Sequence, residues 1–354
     1  MSAEDVNGRR RATVKDVAVA AGVSPATVSR VLAGDYPVAT GTKARVQRAI
    51  RELDYVANAQ ARVLKGGSSG MIAFVLDDVT GPSFAYVAKG VEQQATEEGR
   101  LCIICTTHGD PERELAVVDA MREQHAEAVI LVGGGLVGEE YRQRMIRLAR
   151  ALDKAGSRLV LCGRPPLGED VPATVVEYDN EGGAFAITSF LLSQGHRRIV
   201  YLGKVADNHT TSRERIAGYL RAHELFGVEH DPALIVPGDF TQAYGERATR
   251  QLLAAGTAFT AIFAATDMVA AGVLRTLRAA GRRVPEDVSV VGYDDIPLAI
   301  HVVPALTTVR IPTEELGRAA VRLALRPAES QHVVLGTHIV VRESVRPVAP
   351  PNRG

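Results

Sequence analysis

Apolar positions follow two different rhythms along this chain. Up to about residue 53 they recur at helical spacing: Val14, Val17, Ala18 and Ala21, then Val28, Val31 and Leu32, then Val46, Ala49, Ile50 and Leu53. This predicts three short helices. Gly22 can end the first with a positive φ, Ser24 and Pro25 suit the cap and first position of the second, and the third is expected from about Thr42 to Leu53. Two short helices joined by a tight glycine turn form a helix-turn-helix, whose second helix can enter the DNA major groove. From Met71 the rhythm changes. The apolar runs MIAFVLDDV, LCIIC, AEAVILVG, RLVLCG, RRIVYLG, TAIFAATD and VSVVGYDD alternate with helical stretches such as FAYVAKGVEQQATEEG and RERIAGYLRAHELFG. Such alternation predicts an α/β body of two doubly wound parallel-sheet lobes, with ligands bound beyond the carboxyl ends of the strands, in the cleft between lobes.

Composition narrows the class. The 354 residues exceed one core, and 46% hydrophobic with 23% charged is ordinary for a soluble protein. The start, MSAEDVNGRRRA, has no apolar leader core and no run is long enough to span a bilayer, so a cytoplasmic protein without a membrane partner is expected. Three cysteines are too few for a disulfide framework. The net charge of zero hides an asymmetry: residues 1 to 65 hold 11 Lys/Arg and 6 Asp/Glu, leaving 30 and 35 for the remainder. A basic head on an acidic body suggests a polyanion for the head alone. Arg9, Arg10 and Arg11, and Lys43, Arg45, Arg48 and Arg51 on the third helix, are available for phosphates or solvent.

The run TVKDVAVAAGVSPATVSRVL, with VQRAIRELDYVAN and ARVLKGG after it, resembles the DNA-binding head and hinge of the LacI family of bacterial repressors. The body resembles the effector domain of that family, of periplasmic-binding-protein type, through GHRRIVYLG, RERIAGY, TAIFAATDMVAAGVLRTLRAAG, RRVPEDVSVVGYDDIPLA and LTTVRIPTEELGRAAV. Together these span roughly residues 13 to 345. Residues 1–12 read as a disordered tail, and the resemblance implies a head over 13–54, a hinge helix and linker over 55–69, a body over 70–346 with crossovers near 172, 300 and 330, and a tail over 347–354.

The resemblance also implies site residues. In the head, Pro25 and Ala26 would face bases, Arg30 would fork onto guanine, and Thr13, Ser24, Thr27 and Ser29 would lie at the DNA with phosphates as partners. In the hinge, Leu64 would wedge into the minor groove with Asn58, Ala61 and Arg62 in or beside it. In the cleft, Arg215 and Asp294 would contact the effector, Phe84 and Phe240 would stack on a ring from loops, and Thr266 and Asp267 would lie alongside. Departures from the family pattern are Ala33, Ala39 (leaving Thr40 as the expected cap of the third helix), Ala57, Thr266 for the usual Asn, and Gly163 in place of a polar residue.

The expected function is an effector-controlled transcriptional regulator, a repressor, binding near-palindromic operator DNA as a homodimer and a sugar or related metabolite in its cleft. No enzymatic activity, cofactor or metal is expected. The alternatives are a periplasmic-type solute-binding protein and a dinucleotide-dependent oxidoreductase. GGGLVG at Gly133 to Gly138 fits the dinucleotide fingerprint, but the strand after it lacks the acidic residue for a ribose hydroxyl. GGSSG at Gly66 to Gly70 follows no strand and reads as linker. Cys102 and Cys105 sit three apart in one strand, on opposite faces, and read as buried thiols, and His196 reads as a turn residue.

Overall fold

In the computed structural model the described residues are 12–33, 37–55, 70–134, 138–205, 209–326 and 331–348. The chain divides into two compact units, residues 1–69 and 70–354. In the first, α1 (Val14–Ala21), α2 (Pro25–Ala33) and α3 (Thr40–Glu52) close around Val17, Ala18, Ala21, Val28, Val46 and Ala49. Local signals set the ends. Thr13 and Asp16 form a reciprocal capping box, Gly22 ends α1 at φ 64°, and Ser24 Oγ accepts the Thr27 amide at 3.2 Å. α3 begins two residues before Thr42, with Ala39 at its N-cap and no side-chain cap. Thr40 is therefore the first helical residue and not the cap, because the cap position falls on a residue without an acceptor. Arg45 is committed locally: its Nε donates to the Ala21 carbonyl at 3.2 Å, tying α3 to the end of α1.

The second unit holds two sheets. The first lobe has six parallel strands in the order β11-β5-β4-β3-β1-β2, namely His332–Leu335, Ala173–Tyr178, Arg158–Cys162, Ala128–Val132, Met71–Leu76 and Leu101–Thr106. The second has four, β7-β6-β8-β9, namely Ile235–Pro237, Ile199–Lys204, Ala261–Ala264 and Ser289–Val291. A short antiparallel pair, β10 (Thr308–Arg310) with β12 (His338–Val340), lies beside the second sheet, bridged to it at Val291 and Thr307. Period two divides each sheet's side chains between two cores: Ile72, Phe74 and Leu76 enter one while Ala73 and Val75 enter the other, and Val200 and Leu202 are separated likewise from Ile199 and Tyr201. The α/β body of two parallel-sheet lobes expected from the alternation is thus present.

Several strands, β5, β7, β10, β11 and β12, and the helices Glu139–Lys154 and Gln242–Ala254 are not announced by long apolar runs. The strands are short or carry Thr, Glu, Pro or His, and the helices bury only a narrow stripe. Consequently the chain passes between lobes later than expected. β5 stays in the first sheet, so the first passage is at Asp179 and not near 172; the second lies between Arg310 and Thr313 and not near 300; the third lies between Leu335 and His338 and not near 330. Toward the end of the described residues the Val348 amide donates to the Gln194 carbonyl at 2.8 Å. Where helix Pro82–Glu97 meets helix Thr313–Ala324, Gly90 and Gly317 face each other's backbone; a Cβ on Gly90 would stand 2.1 Å from the Glu314 carbonyl oxygen. Only glycines permit that approach.

Cys102 and Cys105 do point to opposite faces, toward different cores. They are half-buried and not buried, because β2 is an edge strand. His196 is not a simple turn residue: 2% exposed, it bonds Thr260 Oγ1 through Nδ1 at 2.9 Å and the Arg346 carbonyl through Nε2 at 3.2 Å. Burial lowers the pKa of His196, and of His223, below the ordinary 6.5. The unfolded chain therefore takes up protons on these rings first as pH falls past 6.5, and stability present above that value is lost on acidification toward the lowered folded pKa. The melting temperature should be lower at pH 5.5 than at pH 7.5, and His196→Gln should shrink that difference in calorimetric scans; an unchanged difference would show that His196 is not responsible.

Candidate functional site

A cavity of about 270 Å³ opens in the body where strand ends of both lobes converge. The first lobe contributes Asp77 after β1, Gly133 and Gly134 after β3, and Ser83 and Phe84. Phe84 lies in the first turn of helix Pro82–Glu97, not on a loop, because Pro82 starts the helix two residues earlier. The second lobe contributes His209, Thr211 and Arg215 from the start of helix Thr210–Leu225, Phe240 from a bend after β7, Thr266, and Asp294. Arg215 falls in the second turn of its helix.

Arg215 is the most completely enclosed large side chain of the site, at 2% exposure. Its Nε donates to Asn180 Oδ1 at 2.9 Å, one terminal nitrogen donates to the Ala265 carbonyl, and the other reaches Asp294 Oδ1 at 3.2 Å and the Tyr178 hydroxyl at 3.3 Å. The guanidinium also lies 3.7 Å from the centre of the Tyr293 ring. The first lobe reaches this group through Ser83, whose hydroxyl donates to Asp294 Oδ2 at 2.9 Å. Burial raises the Asp294 pKa, and Arg215 and the Ser83 hydroxyl oppose that rise. The Asp294 backbone sits at φ 110°, a costly conformation for a non-glycine residue, held by its amide donating to the Val309 carbonyl at 2.8 Å.

Asp267 is not brought to the cavity. It is 1% exposed, takes the Ile296 amide at 2.9 Å and the Thr308 hydroxyl at 2.6 Å, and its pKa is raised well above the ordinary value by burial first and by Asp294 second. It shapes the turn that carries Asp294. Thr266 lines the cavity, but its hydroxyl caps helix Asp267–Ala279 through the Val269 amide at 3.3 Å and donates to the Phe240 carbonyl at 3.4 Å. Phe84 and Phe240 both line the cavity while resting on the two cores.

Asp77, Ser83 and His209 are site residues that no sequence pattern singles out. Asp77 reads as the tail of an apolar run, yet it is the first polar residue beyond a strand's carboxyl end, which is the signal that would have found it. His209 stacks edge-to-face on Phe240 at 5.6 Å, and the Ser212 amide donates to its Nδ1 at 3.4 Å. Burial, then the charge of Arg215, lowers its pKa, and with the Ser212 amide on Nδ1 the neutral ring carries its proton on Nε2. A paired carboxylate and guanidinium, two aromatic faces and hydroxyl groups can bind and orient a polar ring. The one carboxylate that takes a hydroxyl in this wall, Asp294 from Ser83, is held by Arg215, and among the described residues no cluster could hold a metal ion.

The head and the body each match a described family: residues 13–58 match "Bacterial regulatory proteins, lacI family" and residues 188–345 match "Periplasmic binding protein-like domain". The HTH-type transcriptional regulator CelR of Thermobifida fusca is 38% identical over 346 residues, covering 95% of this chain and 99% of CelR. The chain belongs to the LacI family.

Other LacI-family proteins agree with this placement. The HTH-type transcriptional repressor CytR of Escherichia coli K12 is 32% identical over 342 residues, covering 95% of this chain and 96% of CytR. A solved CelR-cellobiose complex matches 94% of this chain and all of that chain at 36% identity and a TM-score of 0.67. The lac repressor dimer bound to operator and an anti-inducer matches 95% of this chain and 99% of that chain with a TM-score of 0.79, and at 23% identity that likeness speaks for the fold alone. The protein is accordingly a DNA-binding transcriptional regulator and not an enzyme. No described helix is long and apolar enough to cross a membrane.

In the LacI-type head, Thr13, Ser24, Pro25, Ala26 and Arg30 are exposed while Thr27 and Ser29 are half-buried. Thr13 is engaged in the α1 capping box, and Ser24 both caps α2 and bonds the Thr27 hydroxyl at 2.9 Å. Asn58, Ala61, Arg62 and Leu64, together with Ala57, lie outside the described residues. For the cleft, Arg215→Ala should leave Asp294 buried without its cation. That should cost roughly 3–5 kcal/mol in urea unfolding, and Asp294→Asn, which keeps the shape and removes the charge, should cost less; equal costs would mean that the charge is not what Arg215 satisfies.

Proposed function

We propose that this regulator is a repressor whose hold on a near-palindromic operator is set by a small neutral carbohydrate bound between the lobes of its body. The observation that carries the effector reading is the Arg215–Asp294 pair, enclosed in one cavity with Phe84 and Phe240. A carboxylate accepts two hydrogen bonds from neighbouring hydroxyls, a guanidinium donates to their oxygens, and aromatic faces cover the C–H face of a sugar ring. The cellobiose of the CelR complex belongs to the same class of molecule.

On this reading residues 13–54 read DNA, 55–69 are hinge and linker, and 70–346 bind effector and dimerise in the cytoplasm. Two heads of one dimer match the two half-sites of an operator. Arg30 forks onto guanine, Pro25 and Ala26 touch thymine methyls, and Thr13, Ser24, Thr27 and Ser29 serve the phosphates. In the hinge Leu64 wedges the minor groove beside Asn58, Ala61 and Arg62. Thr266 and Asp267 act on the effector through the loops they cap and brace.

Arg30→Ala should lose about 1–3 kcal/mol of operator affinity, concentrated at one base pair per half-site, in titrations at fixed salt; equal weakening on operator and random DNA would sink the assignment. For the effector, a thermal-shift screen of sugars, nucleosides and metabolites should yield a sugar whose stabilisation approaches about 2.7 kcal/mol at a hundredfold excess over its dissociation constant. That stabilisation should vanish in Asp294→Ala, and a sugar that stabilises the variant equally would place the site elsewhere.

A further inference from the structure

A second, smaller cavity of about 180 Å³ adjoins the first. Asp77, Gly134 and His209 line both. Its remaining wall is polar and built: Glu114 and Arg164 form a two-bond ion pair at 2.8 and 2.7 Å with each side chain 7% exposed, and the Tyr141 hydroxyl donates to Glu114. Arg164 Nε is buried there without a hydrogen-bond partner. Nothing in the contacts of the first cavity requires this second one. Each cavity alone falls short of the roughly 300 Å³ at which small-molecule sites begin, and together they reach it.

The partition between them is the imidazole of His209 seated against Gly134. A Cβ on Gly134 would stand 2.5 Å from His209 Cε1 and 2.9 Å from Thr211 Oγ1. The Gly134 backbone is not in the left-handed region, so glycine is there for space and not for φ. Because the Ser212 amide occupies Nδ1, the imidazole presents its Nε2 proton at this junction.

Charge decides the class of ligand. Glu114 cancels Arg164 in one chamber and Asp294 cancels Arg215 in the other. Two additional carboxylates are left: Asp77 at the boundary, whose Oδ1 takes the Thr107 hydroxyl at 3.0 Å, and Asp110 in the second chamber, which caps helix Pro111–Glu123. Among the described residues lining the two cavities no surplus cation remains for a phosphate or an acid, whereas acceptors and donors abound for hydroxyl groups.

We propose that the effector is an uncharged carbohydrate of two rings, the first between Phe84 and Phe240 on Arg215 and Asp294, the second in the chamber of Glu114, Tyr141 and Arg164, with the linkage at His209. This rests on the carbohydrate reading of the cleft given above. The test is calorimetric titration of the full chain with cellobiose, maltose, lactose and sucrose, and with glucose, galactose and fructose. At least one disaccharide should bind 30-fold or more tighter than either of its monosaccharides.

Asp110→Asn with Tyr141→Phe changes the second chamber, touches no residue of the first, and retains an N-cap at residue 110. This double variant should weaken the disaccharide at least 10-fold and leave any monosaccharide binding within threefold, with an unchanged melting temperature certifying the fold. Disaccharide and monosaccharide affinities within threefold of each other, or equal weakening of both by the variant, would overturn the two-chamber inference while sparing the carbohydrate reading. If no sugar in the series binds, the carbohydrate reading itself falls.

Discussion

The ion pair of Arg215 and Asp294, 3.2 Å apart and almost wholly out of water, fixes what the cleft can be. Removing two charges from solvent costs several kcal/mol per ion, and attraction alone seldom offsets it. Here further contacts share the cost: Asn180, Ala265 and Tyr178 take three of the four remaining guanidinium donors, the Tyr293 ring covers its face, and Ser83 satisfies the second carboxylate oxygen. Those partners come from helix Asn180–Ser193, the end of β8, the end of β5, the turn after β9 and the start of helix Pro82–Glu97. A single pair thereby registers five segments against one another at the carboxyl ends of both sheets. The positive φ of Asp294 fits the same account, since local strain persists where surrounding bonds over-determine the residue.

Physical reasons separate what the sequence makes legible from what it does not. The first two head helices are read well because their apolar stripe and their caps, Ser24 and Gly22, are local signals; the start of α3 is misjudged because Ala39 carries none. Long apolar runs reveal the central strands, while edge or short strands such as β7, β10 and β12 give no such run. In the cleft, Arg215, Asp294, Phe84 and Phe240 are legible through the resemblance to known regulators. Asp267, which the resemblance also puts at the effector, does not line the cavity, because its side chain turns into the protein toward Thr308 and the Ile296 amide, a direction that a sequence match does not give. Asp77 and His209 escape because each is one polar residue at the edge of a stretch read for another purpose.

The glycines show a second kind of information that pattern reading misses. Gly90, Gly317 and Gly134 are not needed for unusual backbone angles, and a Cβ at each would collide with backbone or with a ring. At Gly90 and Gly317 the absence of a side chain lets a helix from late in the chain pack closely on one from the beginning of the body. At Gly134 it lets an imidazole of one lobe touch the backbone of the other. Space, in these cases, is the function of the residue.

The hydrogen bond from Ser83 to Asp294 bears directly on how a ligand acts on the body. Ser83 belongs to the first lobe and Asp294 to the second, so the chain holds its own lobes together at the point where a bound sugar would do the same. A ligand shifts a two-state equilibrium only by the difference between its interactions in the two states. A hydroxyl that replaces Ser83 on Asp294 adds nothing to closure by that bond alone. The driving force must come from contacts the empty protein lacks, which are the aromatic faces of Phe84 and Phe240 and the polar wall across from Arg215. The rings and not the carboxylate therefore decide how strongly a sugar biases the lobes, while the carboxylate decides whether the molecule is accepted at all.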